Sequence, residues 1–89
     1  MSGPYSGRTF PLRPGETQIG RESTKDIGLS MDNTVSRDHA RIVQEGAIYV
    51  LYDTGSTNGT FVNNGRVTRH ELMNADVIQI GSTKFRFEG

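Results

Sequence analysis

Apolar and polar residues alternate in short runs along the chain, and each run is closed by glycine, proline, asparagine, aspartate or serine. The alternation is clearest at Tyr49, Leu51 and Asp53, at Ile78 and Ile80 against Val77 and Gln79, and at Phe85 and Phe87 against Lys84 and Arg86. A period of two is that of a pleated strand with one face turned inward. The pattern predicts strands over 8–12, 17–20, 27–29, 40–45, 47–53, 60–62, 76–80 and 83–88. Ile, Val and Thr together number 21, and eleven glycines and three prolines punctuate the runs. Strand centres 8–12 residues apart point to a sandwich or barrel. One segment fits two periods. Over 36–45, Ser36 can cap a helix with Asp38 in its first turn and Gly46 as its stop. Ala40, Ile42 and Val43 equally suit a strand, so the local pattern leaves both open.

Composition bounds what such a chain can be. Its 89 residues make one domain, and only 20 of them are Leu, Ile, Val or Phe, which is a thin core. Formal net charge is zero, so charge-driven disorder is not indicated. Cysteine is absent and there are two histidines, His39 and His70, which leaves no thiolate chemistry and too few ligands for a histidine metal site. No metal and no cofactor are expected. No apolar run approaches the roughly 18 residues of a membrane span. Met1 to Tyr5 carry neither the basic nor the apolar part of a signal peptide, so a cytoplasmic address and no membrane partner are expected. Among the cations, eight arginines stand against two lysines. Arginine's planar fork suits bidentate recognition of phosphate or carboxylate. Zero net charge argues against sequence-blind nucleic-acid binding but allows a local anion site.

Two stretches could carry chemistry. Asp53-Thr54-Gly55-Ser56-Thr57-Asn58-Gly59-Thr60 is small, polar and turn-forming throughout. Its hydroxyls, amides and glycine-permitted turns can face an anion, or it can be an ordinary polar hairpin loop. It is not a nucleotide-binding P-loop, because no lysine follows Gly59. Ser36-Arg37-Asp38-His39 sets a serine three residues from a histidine. No glycine flanks Ser36, which speaks against a nucleophile elbow, and the chain is not expected to be an enzyme. His39 is expected to be a hydrogen-bonded, partly buried strap between loops.

Order and spacing add to this. Gly20-Arg21, then Ser36-x-x-His39, then Gly55-Ser56-Thr57-Asn58-Gly59-Thr60 resembles the forkhead-associated (FHA) domain. The likeness extends to Phe61-Val62-Asn63-Asn64-Gly65, to the segment from Leu72 to Gly81, and to Gly3-Pro4-Tyr5-Ser6-Gly7-Arg8-Thr9-Phe10 at the amino end, so it covers nearly the whole chain. The resemblance implies an all-β sandwich of two antiparallel sheets, and a strand over 40–45.

It also implies a function. FHA domains bind phosphothreonine peptides through loops at one end of the sandwich. By motif position, Arg21 and Ser36 should contact the phosphate, Arg37 the phosphate or peptide, and Thr57 should add donors. Asn58 should hold the peptide main chain. Gly20, His39, Gly55 and Gly59 match positions that shape the loops. The implied partner is a phosphothreonine-containing protein, a Ser/Thr kinase or its substrate, and the implied setting is kinase signalling. The alternative is a scaffold of the same fold that associates without phosphate or oligomerises.

Two departures stand out. Ala75 occupies a position where the family usually has glycine; a positive φ there would cost about 1 kcal/mol. Family members also carry an apolar strand before the Gly-Pro turn, whereas only Met1 and Ser2 precede Gly3. The expectation is a domain over 1–89 lacking its first strand, excised from a longer protein, with the strand at 83–88 as an open edge available for self-association.

Overall fold

The structure, a computed structural model, describes residues 12–88. Nine strands appear in chain order: β1 Glu16–Gly20, β2 Ile27–Gly28, β3 Ala40–Glu45, β4 Ile48–Asp53, β5 Thr60–Val62, β6 Gly65–Val67, β7 Arg69–Glu71, β8 Val77–Ile80 and β9 Thr83–Arg86. They form a five-stranded sheet in the order β2-β1-β3-β4-β7 and a four-stranded sheet in the order β6-β5-β8-β9. All pairings are antiparallel except β1 with β2, which run parallel through Ile19↔Ile27 and Gly20↔Gly28. The expected all-β fold of two sheets is present, with that one parallel pair as its departure. No helix of the described residues is long and apolar enough to cross a membrane.

The inward faces carry the alternation seen in the sequence. Ile19, Ala40, Ile42 and Leu51 of the first sheet join Val62, Ile78 and Ile80 of the second in one core. Leu29 and Val35, from the connection between β2 and β3, are fully buried in the same core. Burying side chains of this size contributes about 1.5–3 kcal/mol each before entropy is counted. That apolar anchorage lets a long polar connection hold one shape. Thr17, Thr60 and Thr83 are also completely buried.

Segment 40–45 is a strand, paired along its whole length with β4 from Ala40↔Asp53 to Glu45↔Ile48. The strands β6 and β7 were not expected. Each has three residues and neither alternates, so no period could reveal them. β6 exists because Asn63 and Asn64 turn the chain back in a two-residue hairpin, with φ of 49° and 71°. Positive φ at both central residues is the type I′ geometry that matches strand twist. β7 is held by pairing with β4 at Val50↔Glu71, Leu51↔His70 and Tyr52↔Arg69.

Ala75 has φ of 74°, so the strain anticipated from the sequence is present. Its N–H donates to the Phe87 carbonyl at 2.7 Å, and the Phe87 N–H donates to the Asp76 carbonyl at 2.8 Å. The expected strand over 8–12 and the turn at Gly3 to Phe10 lie outside the described residues, apart from Leu12, which is in no strand. Among the described residues β9 pairs only with β8.

Candidate functional site

Three connections converge: 21–26 between β1 and β2, 29–39 between β2 and β3, and 54–59 between β4 and β5. Hydrogen bonds, not sequence proximity, hold them together. The Arg21 N–H donates to the Ser36 carbonyl at 3.0 Å. The Ser36 hydroxyl accepts from the Thr57 N–H at 3.0 Å. The Asn58 side-chain amide donates to the Thr34 carbonyl at 2.7 Å. Arg21, Ser36, Thr57 and Asn58 therefore occupy one cluster of loops, although 37 positions separate the first from the last.

His39 sits beneath this cluster with no exposed surface. Its Nδ1 accepts from the Ser36 N–H at 3.0 Å, and its Nε2 lies 2.9 Å from the Gly59 carbonyl. One nitrogen faces a donor and the other an acceptor, which assigns the neutral imidazole with its proton on Nε2. A single ring thus sets the height of the Ser36 turn against the end of the 54–59 loop.

Gly20 permits the second close approach. A Cβ there would stand 2.0 Å from the Arg37 carbonyl oxygen, so the chain at 36–38 can cross β1 only where a side chain is absent. This brings Arg37 beside Arg21. Both guanidinium groups are without an ion-pair partner among the described residues. The neighbouring Asp38 is engaged instead by Lys25 at 3.4 Å.

The 54–59 loop is organised from within by Asp53. Its carboxylate accepts from the Gly55 N–H at 2.7 Å, the Ser56 N–H at 2.9 Å, the Ser56 hydroxyl and the Thr60 hydroxyl at 2.8 Å. Burial pushes the Asp53 pKa up, but the bonds from Ser56, Thr60 and Gly55 outweigh it and bring the group down to about 2. Ser56 in turn accepts from the Gly59 N–H at 3.0 Å. Gly55 and Gly59 have φ of 98° and 90°, conformations that an L side chain rarely adopts. The negative charge of Asp53 is spent on loop donors and leaves the loop's outer surface to Thr57 and Asn58, both exposed.

The 29–39 loop has a matching organiser. Asp32, 4% exposed, accepts from Thr34 N–H at 3.0 Å, from the Thr34 hydroxyl, and from Ser82 N–H and Thr83 hydroxyl at 2.9 and 2.7 Å. It fixes Thr34, whose carbonyl holds Asn58. Neither Asp53, Asp32, Thr34 nor Ser56 was assigned a role from the sequence. The available signal was local: an aspartate two or three residues before serine, threonine or glycine forms Asx-turns with the following backbone.

The cluster has the chemistry of a receptor for a small oxyanion. Two unpaired guanidinium groups supply charge and bidentate donors. The Ser36 oxygen is occupied as an acceptor by Thr57, which leaves its hydrogen free to donate outward. Asn58 retains its carbonyl oxygen and a second N–H for a main chain laid over the loops.

The FHA domain family model matches residues 17–81, which span all three loops and, apart from Glu16, the strands β1 to β8. The chain belongs to the FHA family. It is 45% identical over 84 residues to the glycogen accumulation regulator GarA of Mycolicibacterium smegmatis, covering 94% of this chain and 51% of that protein. A solved chain from a study of phosphothreonine-dependent FHA domain interactions shares 43% identity at a TM-score of 0.83, covering 89% of this chain and 81% of that one. EmbR of Mycobacterium tuberculosis, solved with a low-affinity phosphopeptide, shares 40% identity at a TM-score of 0.88, covering 93% of this chain and 22% of that one. The FHA chain spans about half, or less, of the curated relatives it matches.

Proposed function

We propose that this FHA domain recognises phosphothreonine-containing segments of partner proteins and acts as a binding module in Ser/Thr kinase signalling. The observation that carries the proposal is the bonded set Arg21–Ser36–Thr57, with Asn58 anchored beside it. A phosphothreonine brings about −1.5 to −2 charges and three acceptor oxygens. Arg21 and Arg37 meet the charge, and the Ser36 hydroxyl and Thr57 supply further donors. Charge-assisted bonds of this kind contribute roughly 1.5–3 kcal/mol each. Asn58 spans the peptide main chain. Gly20, His39, Gly55 and Gly59 preorganise the loops, which spares the ordering cost that a flexible site would meet on binding.

The relatives support this reading through phosphothreonine dependence in one solved FHA study and a phosphopeptide complex in EmbR. The domain's work is recognition, with Ser36 as a hydrogen-bond donor to the phosphate and not a nucleophile. Its partners are phosphorylated kinases or their substrates, which places it in the cytoplasm, where such kinases have their ATP. The residues over 1–89 are one such module of a longer protein.

The test is titration with a degenerate phosphothreonine peptide library alongside phosphoserine and unmodified threonine versions. Micromolar binding confined to phosphothreonine is expected, together with a preferred flanking sequence. Equal binding of the unmodified library would favour phosphate-independent association through the same fold.

A further inference from the structure

The outer face of the four-stranded sheet has a composition unlike the rest of the surface. Directly opposed residues of an antiparallel pair share a face. The pairs Phe61↔Arg66, Phe61↔Gln79 and Gln79↔Lys84 therefore form one row straight across β6, β5, β8 and β9. Val77↔Arg86 lies on the same face one step along. Arg66, Lys84 and Arg86 are all exposed. None of the three has an ion-pair partner among the described residues. No residue of these four strands is acidic. The first sheet is different: there Arg41 pairs with Glu16 and Arg69 with Glu71.

The basic row begins at the phosphate-binding loops. A Cβ on Gly59 would come within 3.0 Å of the Arg66 Nε, so this guanidinium lies against the end of the 54–59 loop. From β6 to β9 the row crosses three inter-strand steps, about 14 Å, the length of roughly four extended residues.

We propose that this face docks an acidic segment of the same partner chain that carries the phosphothreonine. The proposal rests on the phosphothreonine reading of the loops. Charge complementarity selects the occupant, because three unpaired cations with no carboxylate among them attract carboxylates. Three exposed cations bind weakly alone. Tethering to a phosphothreonine already seated in the loops raises the local concentration of the acidic segment and makes such a surface useful. A nucleic acid fits less well, since backbone tracking accumulates many phosphate contacts and the domain as a whole has zero net charge.

Calorimetric titration of the domain with matched phosphothreonine peptides tests this. One peptide is short, one is extended by four glutamates on either side in turn, and one is extended by four glutamines. The glutamate extension should tighten binding about three- to tenfold at low ionic strength on one of the two sides. That gain should vanish in the exposed double variant Lys84→Gln/Arg86→Gln, while the short peptide binds wild type and variant alike. Arg86→Glu should reverse the preference. Equal binding of glutamate and glutamine extensions overturns the proposal, as does a gain that survives the double variant. If the short phosphopeptide does not bind wild type, the loop reading fails by itself. The face is then judged by amide shifts with millimolar unphosphorylated tetraglutamate peptide, where shifts confined to β5, β6, β8 and β9 support it and none there overturn it. Tighter binding of a short DNA duplex through Lys84 and Arg86 overturns it in favour of nucleic acid.

Discussion

The Ser36 hydroxyl accepts the Thr57 N–H at 3.0 Å across 21 positions of sequence. The bond occupies one acceptor site of the Ser36 hydroxyl and leaves its O–H available to donate. The same atom thus serves the architecture as an acceptor and the proposed phosphate as a donor. Ser36→Ala removes both. It should cost about 1 kcal/mol of stability, typical of a lost hydrogen bond, and weaken phosphopeptide binding about tenfold or more. Urea melts and calorimetry separate the two effects.

His39 acts through the loops rather than on the ligand. His39→Ala removes a fully buried ring and strands the Ser36 N–H and Gly59 carbonyl. The expected loss is about 2–4 kcal/mol in urea unfolding, from a cavity plus two unsatisfied groups. Affinity should fall secondarily. Unchanged stability would show that the ring is not the strut described.

Gly20→Ala places a methyl group 2.0 Å from the Arg37 carbonyl oxygen. Backbone cannot yield that far without moving the 36–38 turn away from Arg21. The variant should melt lower by several degrees and lose phosphopeptide affinity, read by thermal denaturation and titration.

Asp53 makes a pH prediction. Its folded pKa of about 2 lies below the ordinary 3.8, so it binds its proton less readily when folded. The stability it contributes is complete above about pH 4 and is lost as pH falls toward 2. Asp32 and Asp76 are lowered in the same direction. Wild type should therefore lose stability steeply below pH 4. Asp53→Asn should start less stable at pH 7 and decline less over that window. A parallel decline would show that Asp53 does not carry the loop's charge-assisted bonds.

Ala75 offers a gain. At φ of 74° alanine pays a steric penalty that glycine avoids, partly offset by glycine's greater freedom when unfolded. Ala75→Gly should raise stability by about 0.5–1 kcal/mol in urea unfolding without altering phosphopeptide affinity, since the Ala75 N–H is bonded to the Phe87 carbonyl just past the end of β9.

What was legible in the sequence was what repeats or is chemically marked. Alternation at Ile78/Ile80 and Phe85/Phe87 gave the strands of the second sheet their positions and inward faces. β6 and β7 were hidden because a hairpin turn and a neighbouring strand create them, and Gly65–Val67 and Arg69–Glu71 have no pattern of their own. The local pattern alone left 36–45 divided between helix and strand. The deciding fact is tertiary: six cross-strand pairs with β4. The residues that the loop hydrogen bonds gather, Arg21, Ser36, Thr57 and Asn58, stood out as a motif, but Asp53 and Asp32 did not. A carboxylate that organises a loop looks in sequence like any other surface acid until the donors folded around it are known.

The most direct test of the account is Arg21→Ala, measured by calorimetric titration with a phosphothreonine peptide and by thermal melting of the same sample. Arg21 makes no ion pair among the described residues, so its side chain is predicted to contribute little to stability. A melting temperature within a degree or two of wild type and no measurable phosphopeptide binding are expected. Full binding by a folded Arg21→Ala domain would overturn the phosphate-binding role of Arg21.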